Sequence, residues 1–116
     1  MVGGACFAAA KALAANGKTP NLRVGILSDV HVNNERPAQN FERALRYFDA
    51  RKADGVVVAG DITDFGTGAA LRQIAEIWFK VFPGNRRSDG KPIVPLFIYG
   101  DHDMGGYMHK SYRKWA

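Results

Sequence analysis

Three polar stretches that are rich in aspartate and histidine each follow directly on an apolar run of the chain. They are SDVH at 28–31, GDITD at 60–64 and GDHD at 100–103. Carboxylates that crowd together repel one another, and a bound metal cation removes that penalty. Mixed carboxylate and imidazole ligands suit manganese, iron or zinc. The residue types therefore predict a metal site whose candidate ligands are Asp29, His31, Asp61 and Asp101.

The apolar runs that precede these stretches have the character of β-strands. They are LRVGIL at 22–27, GVVVA at 55–59 and IVPLFIY at 93–99. The run GVVVA is continuously apolar, which is expected of a strand buried on both faces of a sheet. Pro95 disfavours a central position for the third strand, because proline cannot donate a ladder hydrogen bond.

Two amphipathic segments between the strands predict helices. The first lies within 36–55 and places Phe41, Leu45 and Phe48 at helical spacing. The second lies within 67–84, and its predicted buried stripe is Leu71, Ile74, Trp78 and Val81. The order β-α-β-α-β predicts an α/β domain with parallel strands and helices packed on the sheet.

The carboxyl ends of parallel strands lie along one edge of a sheet, where open α/β folds place their ligands. We therefore expect the three polar stretches to converge there. Gly60 and Gly100 each begin one of these stretches. Because glycine has no Cβ, it lets the backbone turn sharply beside a crowded site.

The three stretches, in this order, resemble the opening motifs of the calcineurin-like metallophosphoesterases. The resemblance covers residues 22–104. It implies the β-α-β-α-β half of a four-layer αββα metallophosphoesterase sandwich, with the second half absent. It also implies hydrolysis of a phosphate mono- or diester at a dinuclear centre of two divalent or trivalent metal ions, Mn, Fe or Zn. The substrate would be a phosphoester small molecule or a phosphorylated partner.

The resemblance assigns roles to individual residues by their positions in the motifs. Asp29 and His31 would hold one metal ion, and Asp61 would bridge it to a second. Asp101 stands where the family has an asparagine ligand of the second ion. His102 would be the catalytic residue, facing the scissile phosphoester. By the same resemblance, the carboxylates that close the second and third motifs would orient loops and histidines; they are Asp64 and Asp103.

Two departures from the family pattern bear on activity. Asp101 in place of asparagine adds a negative charge and removes an amide donor, which makes the centre less electrophilic. The family also continues with further histidine motifs, and His109 fits neither of them before the sequence ends at Ala116. We therefore expect half a site, with weak metal binding and little activity in this chain alone. The alternative is a non-catalytic metal-binding fragment or scaffold of the same fold.

Composition and local motifs bear on other classes of function, namely nucleic-acid binding, dinucleotide-dependent catalysis and membrane insertion. The net charge of +5 comes from scattered Lys and Arg residues, which favours a solvated basic surface and leaves nucleic acid open as a partner. The stretch FGTGAA at 65–70 lies beyond the strand and lacks a third glycine, which disfavours a Rossmann cofactor enzyme. Cys6 is the one cysteine, so an internal disulfide is excluded. No apolar stretch is long enough for a membrane span.

Residues 1–20 differ in character from the rest of the chain. They are alanine-rich and carry no acid. We expect a disordered leader or a clipped export signal there, followed by a partial metallophosphoesterase domain at 21–116. The triplet Ala12-Leu13-Ala14 fits a signal-peptidase site, but a basic region before it is missing. Localisation thus stays open between the cell envelope and the cytoplasm.

Overall fold

The computed structural model of the chain describes residues 8–9 and 22–104. Its elements are β1 (Ala8–Ala9), β2 (Val24–Leu27), α1 (Glu35–Ala50), β3 (Gly55–Ala59), α2 (Gly68–Val81), a 3₁₀ turn (Pro83–Asn85) and β4 (Val94–Ile98). The predicted α/β class and the β-α-β-α-β order from β2 to β4 are confirmed. The prediction of a leader at residues 1–20 falls mostly outside the described residues, as do Cys6 and His109.

The strands form one sheet in the order β1-β2-β3-β4. β2 pairs with β3, and β3 with β4, in parallel, whereas β1 runs antiparallel to β2. Leu27, Val58 and Phe97 lie opposite one another across the sheet. The carboxyl ends of β2, β3 and β4 therefore lie side by side. β4 lies at an edge of the described sheet, as the position of Pro95 predicts.

Helix α1 follows from a capped start and an apolar stripe. The side chain of Asn34 accepts a hydrogen bond from the backbone N–H of Arg36, which satisfies a donor that the helix leaves unpaired. The predicted stripe of Phe41, Leu45 and Phe48 is buried. Burial of these three side chains fixes the rotation of the helix against the sheet.

Helix α2 begins at a threonine cap, where the hydroxyl of Thr67 accepts from the backbone N–H of Ala70. Its buried residues are Ile74, Ile77, Trp78 and Val81. The predicted stripe was therefore wrong at Leu71, which is only half-buried. Leu71 lies in the first turn of the helix, ahead of the turns that contact the core, and Ile77 completes the buried stripe in its place.

Both helices cover the same face of the sheet. A Cβ on Gly25 of β2 would overlap the ring of Phe48, so α1 lies directly against that strand. The ring of Trp78 in α2 contacts the ring of Phe97 in β4 with their centroids 5.7 Å apart. The strand residues buried under the helices are Leu27, Val56 and Val58. This single helix-covered face contains the core.

The opposite face of the sheet is only partly covered. Val57 of β3 is half-buried, so the strand whose apolar run predicts cover on both faces is fully covered on only one of them in the described structure. We call this surface the open sheet face; its residues are Ile26, Val57, Val94, Leu96 and Ile98. Leu96 lies in its middle row and is 53% exposed. An exposed apolar patch of this kind favours association.

We expect the chain to self-associate through the open sheet face. Leu96→Ser should raise the dissociation constant of the self-associated species about tenfold, because it removes most of one apolar side chain from the contact. Phe79→Ser is the matched control, since Phe79 is 52% exposed but lies on α2. Sedimentation equilibrium measures both variants. A chain that stays monomeric at all concentrations would contradict this expectation.

None of the helices in the described part of the chain is long and apolar enough to cross a membrane.

Candidate metal centre

Backbone hydrogen bonds hold the loops that follow β2 and β3 together. The N–H of Asp29 donates to the carbonyl of Gly60 at 3.2 Å, and the N–H of His31 donates to the carbonyl of Asp61 at 2.9 Å. On the other side, the N–H of Gly60 donates to the carbonyl of Ile98 at 2.9 Å. The polar stretch after β3 is therefore fixed between those after β2 and β4.

Three of the predicted ligands have a left-handed backbone conformation. The φ angles of Asp29, His31 and Asp61 are 54°, 48° and 50°. Such angles are uncommon in residues other than glycine, although aspartate and histidine tolerate them better than most. Strained backbone of this kind clusters at functional sites, where the surrounding structure holds it in place. Here the interlocked loops supply that support.

The two glycines fulfil the predicted role. Gly60 has a φ of 84°, a conformation that favours glycine. A Cβ on Gly100 would overlap the carboxylate and the backbone nitrogen of Asp61. The absence of a side chain at Gly100 thus allows the loop after β4 to approach Asp61 closely.

The first cluster of potential ligands consists of Asp29, His31 and Asp61. Nε2 of His31 lies 3.9 Å from Oδ1 of Asp29 and 3.8 Å from Oδ2 of Asp61. Two ligand atoms that each bind one ion at about 2.1 Å are at most about 4.2 Å apart. Nε2 of His31 can therefore share one metal ion with either carboxylate, and the three side chains have the donor chemistry that such an ion requires.

A second cluster consists of Asp61, Asp101 and His102, whose potential ligand atoms lie within 4.8 Å of one another. The N–H of His102 also donates to Oδ1 of Asp61 at 3.2 Å. Among the described residues, Asp61 is the only carboxylate that belongs to two such clusters. The structure thus gathers all four predicted ligands, Asp29, His31, Asp61 and Asp101, around one central carboxylate.

Asp64 contacts both histidines. Its Oδ1 lies 2.7 Å from Nδ1 of His31, and its carbonyl oxygen lies 3.1 Å from Nδ1 of His102. Because a carboxylate and a carbonyl only accept hydrogen bonds, both Nδ1 atoms donate. The Nε2 atom of each ring is then left for a ligand or a substrate. The two rings contact edge to face, with centroids 4.7 Å apart.

The pKa of His102 is raised above its ordinary value. The main cause is the hydrogen bond to the carbonyl of Asp64; desolvation opposes the shift, and the charges of Asp61, Asp101 and Asp64 add to it. These contacts favour the imidazolium form, which carries a proton on Nε2.

Asp103 joins the loop after β3 to the loop after β4. It is buried, and its carboxylate accepts from the N–H groups of Ile62, Thr63 and Gly100 and from the Thr63 hydroxyl, at 2.7–3.1 Å. Burial opposes ionisation of this carboxyl, but the hydrogen bonds from Gly100, Thr63 and Ile62 outweigh it, and the pKa of Asp103 is lowered. Asp103 therefore acts as an ionised clamp between the two loops.

Removing this clamp should destabilise the fold strongly. Asp103→Ala leaves several buried donors without a partner, and we expect a loss of about 3 kcal/mol in the free energy of unfolding. Asp101→Ala is the matched control two residues away, since Asp101 is exposed. Urea unfolding in a chelating buffer measures both variants. Equal losses would show that Asp103 does not act as a clamp.

Two contributors to the site were missed by the sequence analysis. Asn33 donates through Nδ2 to Oδ2 of Asp64 and so supports the residue that holds both histidines. The Thr63 hydroxyl accepts from the N–H of Gly66 at 2.8 Å while it donates to Asp103. Both residues lie beside the motifs, but their residue types alone do not distinguish them from ordinary turn residues.

Comparison with known proteins adds one match. The family model described as calcineurin-like phosphoesterase matches residues 22–116. No curated protein and no solved structure matches the chain.

Proposed function

Since the chain belongs to the calcineurin-like phosphoesterase family, we propose that it hydrolyses a phosphate mono- or diester at a dinuclear metal centre. Membership itself implies metal-dependent hydrolysis of phosphoesters. The observation that carries the dinuclear proposal is the position of Asp61, which belongs to both the Asp29–His31–Asp61 and the Asp61–Asp101–His102 clusters. A carboxylate shared in this way supports a bridging role, because each of its two oxygens can bind one ion.

The proposed ligand sets follow from these clusters. Asp29, Nε2 of His31 and Asp61 would hold one ion, while Asp61 and Asp101 would hold the other. Asp64 supports the first set, because its hydrogen bond to Nδ1 of His31 fixes the ring and leaves Nε2 free. Carboxylate and imidazole donors fit Mn, Fe or Zn, in divalent or trivalent form.

Each group of the site has a defined part in hydrolysis. Bound ions would supply positive charge to the phosphoryl group and lower the pKa of an attacking water. His102, held through Nδ1 by the carbonyl of Asp64, would donate the proton on Nε2 to the departing oxygen. In the chain without metal ions its pKa is raised, mainly by that hydrogen bond. Asp103 keeps the loop that carries His102 against the loop that carries Asp61.

The second candidate function is metal binding without catalysis, in a fragment or scaffold of the same fold. Asp101 favours it, because an additional carboxylate lowers the net positive charge available to a phosphate. Under either function we propose that residues 21–116 belong to a metallophosphoesterase domain that follows a leader segment at 1–20.

An assay of the chain with two model substrates separates the two functions. Incubation with Mn²⁺ and either p-nitrophenyl phosphate or its bis ester should give slow release of p-nitrophenol. The release should disappear with chelator and in Asp61→Asn, which keeps the size of the side chain but removes its charge. Mn²⁺ binding in calorimetry without any release would contradict hydrolysis and support the non-catalytic alternative.

A further inference from the structure

Two large apolar residues are exposed beside the candidate metal centre. Phe65 follows Asp64 directly and is 63% exposed, and Met104 follows Asp103 directly and is 45% exposed. Neither side chain belongs to the buried core. Single exposed apolar residues are common on protein surfaces, so exposure alone assigns these two no role.

The segments that carry Phe65 and Met104 are in direct contact. A Cβ on Gly66 would overlap the carbonyl of Asp103, which shows how closely the two backbones approach. His102, two residues before Met104, is hydrogen-bonded to the carbonyl of the residue that precedes Phe65. The two apolar residues therefore lie on the two loops that meet at the proposed proton donor, each within two residues of this contact.

The loop around Phe65 is held firmly in place. The N–H of Gly66 donates to the Thr63 hydroxyl at 2.8 Å, and Thr63 in turn donates twice to Asp103. Because the backbone is already fixed, a ligand that contacts Phe65 would lose little free energy in ordering the loop. This distinguishes Phe65 from Phe79, which is similarly exposed but lies on α2, away from the loops of the site.

We propose that the substrate is a phosphate ester of an aromatic alcohol, and that Phe65 and Met104 form an apolar rim that binds its aromatic leaving group. The inference rests on the proposed function, because the role of His102 as proton donor determines on which side the leaving group lies. A proton donor to the departing oxygen must lie on the side of the leaving group, and the loops that carry Phe65 and Met104 meet at that donor. An aromatic ring packs favourably against phenylalanine and against the sulfur of methionine.

The reaction balances without a further reactant. The oxygen of water forms a bond to phosphorus, the bond from phosphorus to the aryl oxygen breaks, and that oxygen takes a proton and leaves as a phenol. The rim itself exchanges no atoms or electrons. It sets the preference between leaving groups.

Binding of two phosphonates tests the rim without relying on turnover. Calorimetry of the Mn²⁺-loaded chain should show phenylphosphonate binding about tenfold more tightly than methylphosphonate. Phe65→Ala should weaken phenylphosphonate about five- to tenfold and leave methylphosphonate unchanged. Phe79→Ala, the matched control, should change neither. Met104→Ala should lower the preference for phenylphosphonate in the same direction, which provides a second variant should Phe65→Ala misfold.

The outcomes separate this inference from the function on which it rests. If both phosphonates bind and the preference for the phenyl group survives in Phe65→Ala and Met104→Ala, the rim is wrong while phosphoester binding stands. Equal losses for both ligands in Phe65→Ala would also overturn the rim, since they indicate a general disturbance of the site. If neither phosphonate binds the Mn²⁺-loaded chain, the proposed function fails and the rim fails with it.

Discussion

Replacing Asp61 by alanine should cost the chain more metal affinity than any other single substitution at the site. Asp61 is the only carboxylate that belongs to two of the ligand clusters in the described residues, so its loss removes a donor from both proposed ions. Asp64→Ala is the matched comparison, because Asp64 acts on His31 through a hydrogen bond. Loss of such an orienting partner typically lowers metal affinity about 10- to 100-fold. We expect Asp61→Ala to exceed that loss.

Calorimetric titration with Mn²⁺ or Zn²⁺ measures both variants beside the unaltered chain. Circular dichroism on the same samples checks that each variant is folded. Equal losses of affinity in the two folded variants would overturn the bridging role of Asp61. A larger loss of metal affinity in Asp64→Ala would instead indicate that Asp64 binds metal directly.

Replacing Asp101 by asparagine should raise the affinity of the Mn²⁺-loaded chain for inorganic phosphate about tenfold. The change removes one negative charge next to the phosphate site and restores an amide donor, and a unit charge at close range has an effect of this size at a partly solvated site. Turnover of p-nitrophenyl phosphate should rise in parallel. Asp29→Asn is the matched control, since it removes the same charge from the cluster that also contains His31 and should weaken metal binding instead.

Phosphate affinity by calorimetry and initial rates on the same preparations measure the effect. If both phosphate affinity and turnover fall in Asp101→Asn, the site has adapted to an acidic ligand at this position. The account of Asp101 as an unfavourable departure would then be wrong.

The sequence was most informative where a local pattern determines a local structure. The spacing of Phe41, Leu45 and Phe48 predicted the buried stripe of α1, and all three are buried. Pro95 predicted that β4 is not central, and β4 lies at the edge of the described sheet. Backbone chemistry and helical periodicity decide both features within a few residues of the position concerned.

Predictions that depended on the rest of the fold were less accurate. The apolar run around Val57 indicated a strand that needs cover on both faces, but which elements would cover the second face depends on parts of the fold that periodicity does not place. Leu71 was predicted to be buried but is only half-buried, because it lies in the first turn of α2, before the helix contacts the core.

The candidate site shows the same division. Three motifs at strand ends predicted the convergence of their acids and histidines, because parallel strands align those ends. The sequence did not indicate the left-handed backbone at Asp29, His31 and Asp61. It also did not indicate that Asn33 supports Asp64. Such contacts join residues far apart in the chain, and they depend on loop conformations that residue type alone does not determine.

Diffraction from crystals of the chain soaked in Mn²⁺, recorded at the manganese absorption edge, tests the dinuclear centre most directly. We expect two anomalous peaks about 3.5–4 Å apart, with Asp61 contacting both. The first peak should also contact Asp29 and His31, and the second should also contact Asp101. A single peak at saturating Mn²⁺, an ordered site without anomalous density, or a peak that does not contact Asp61 would contradict the dinuclear centre.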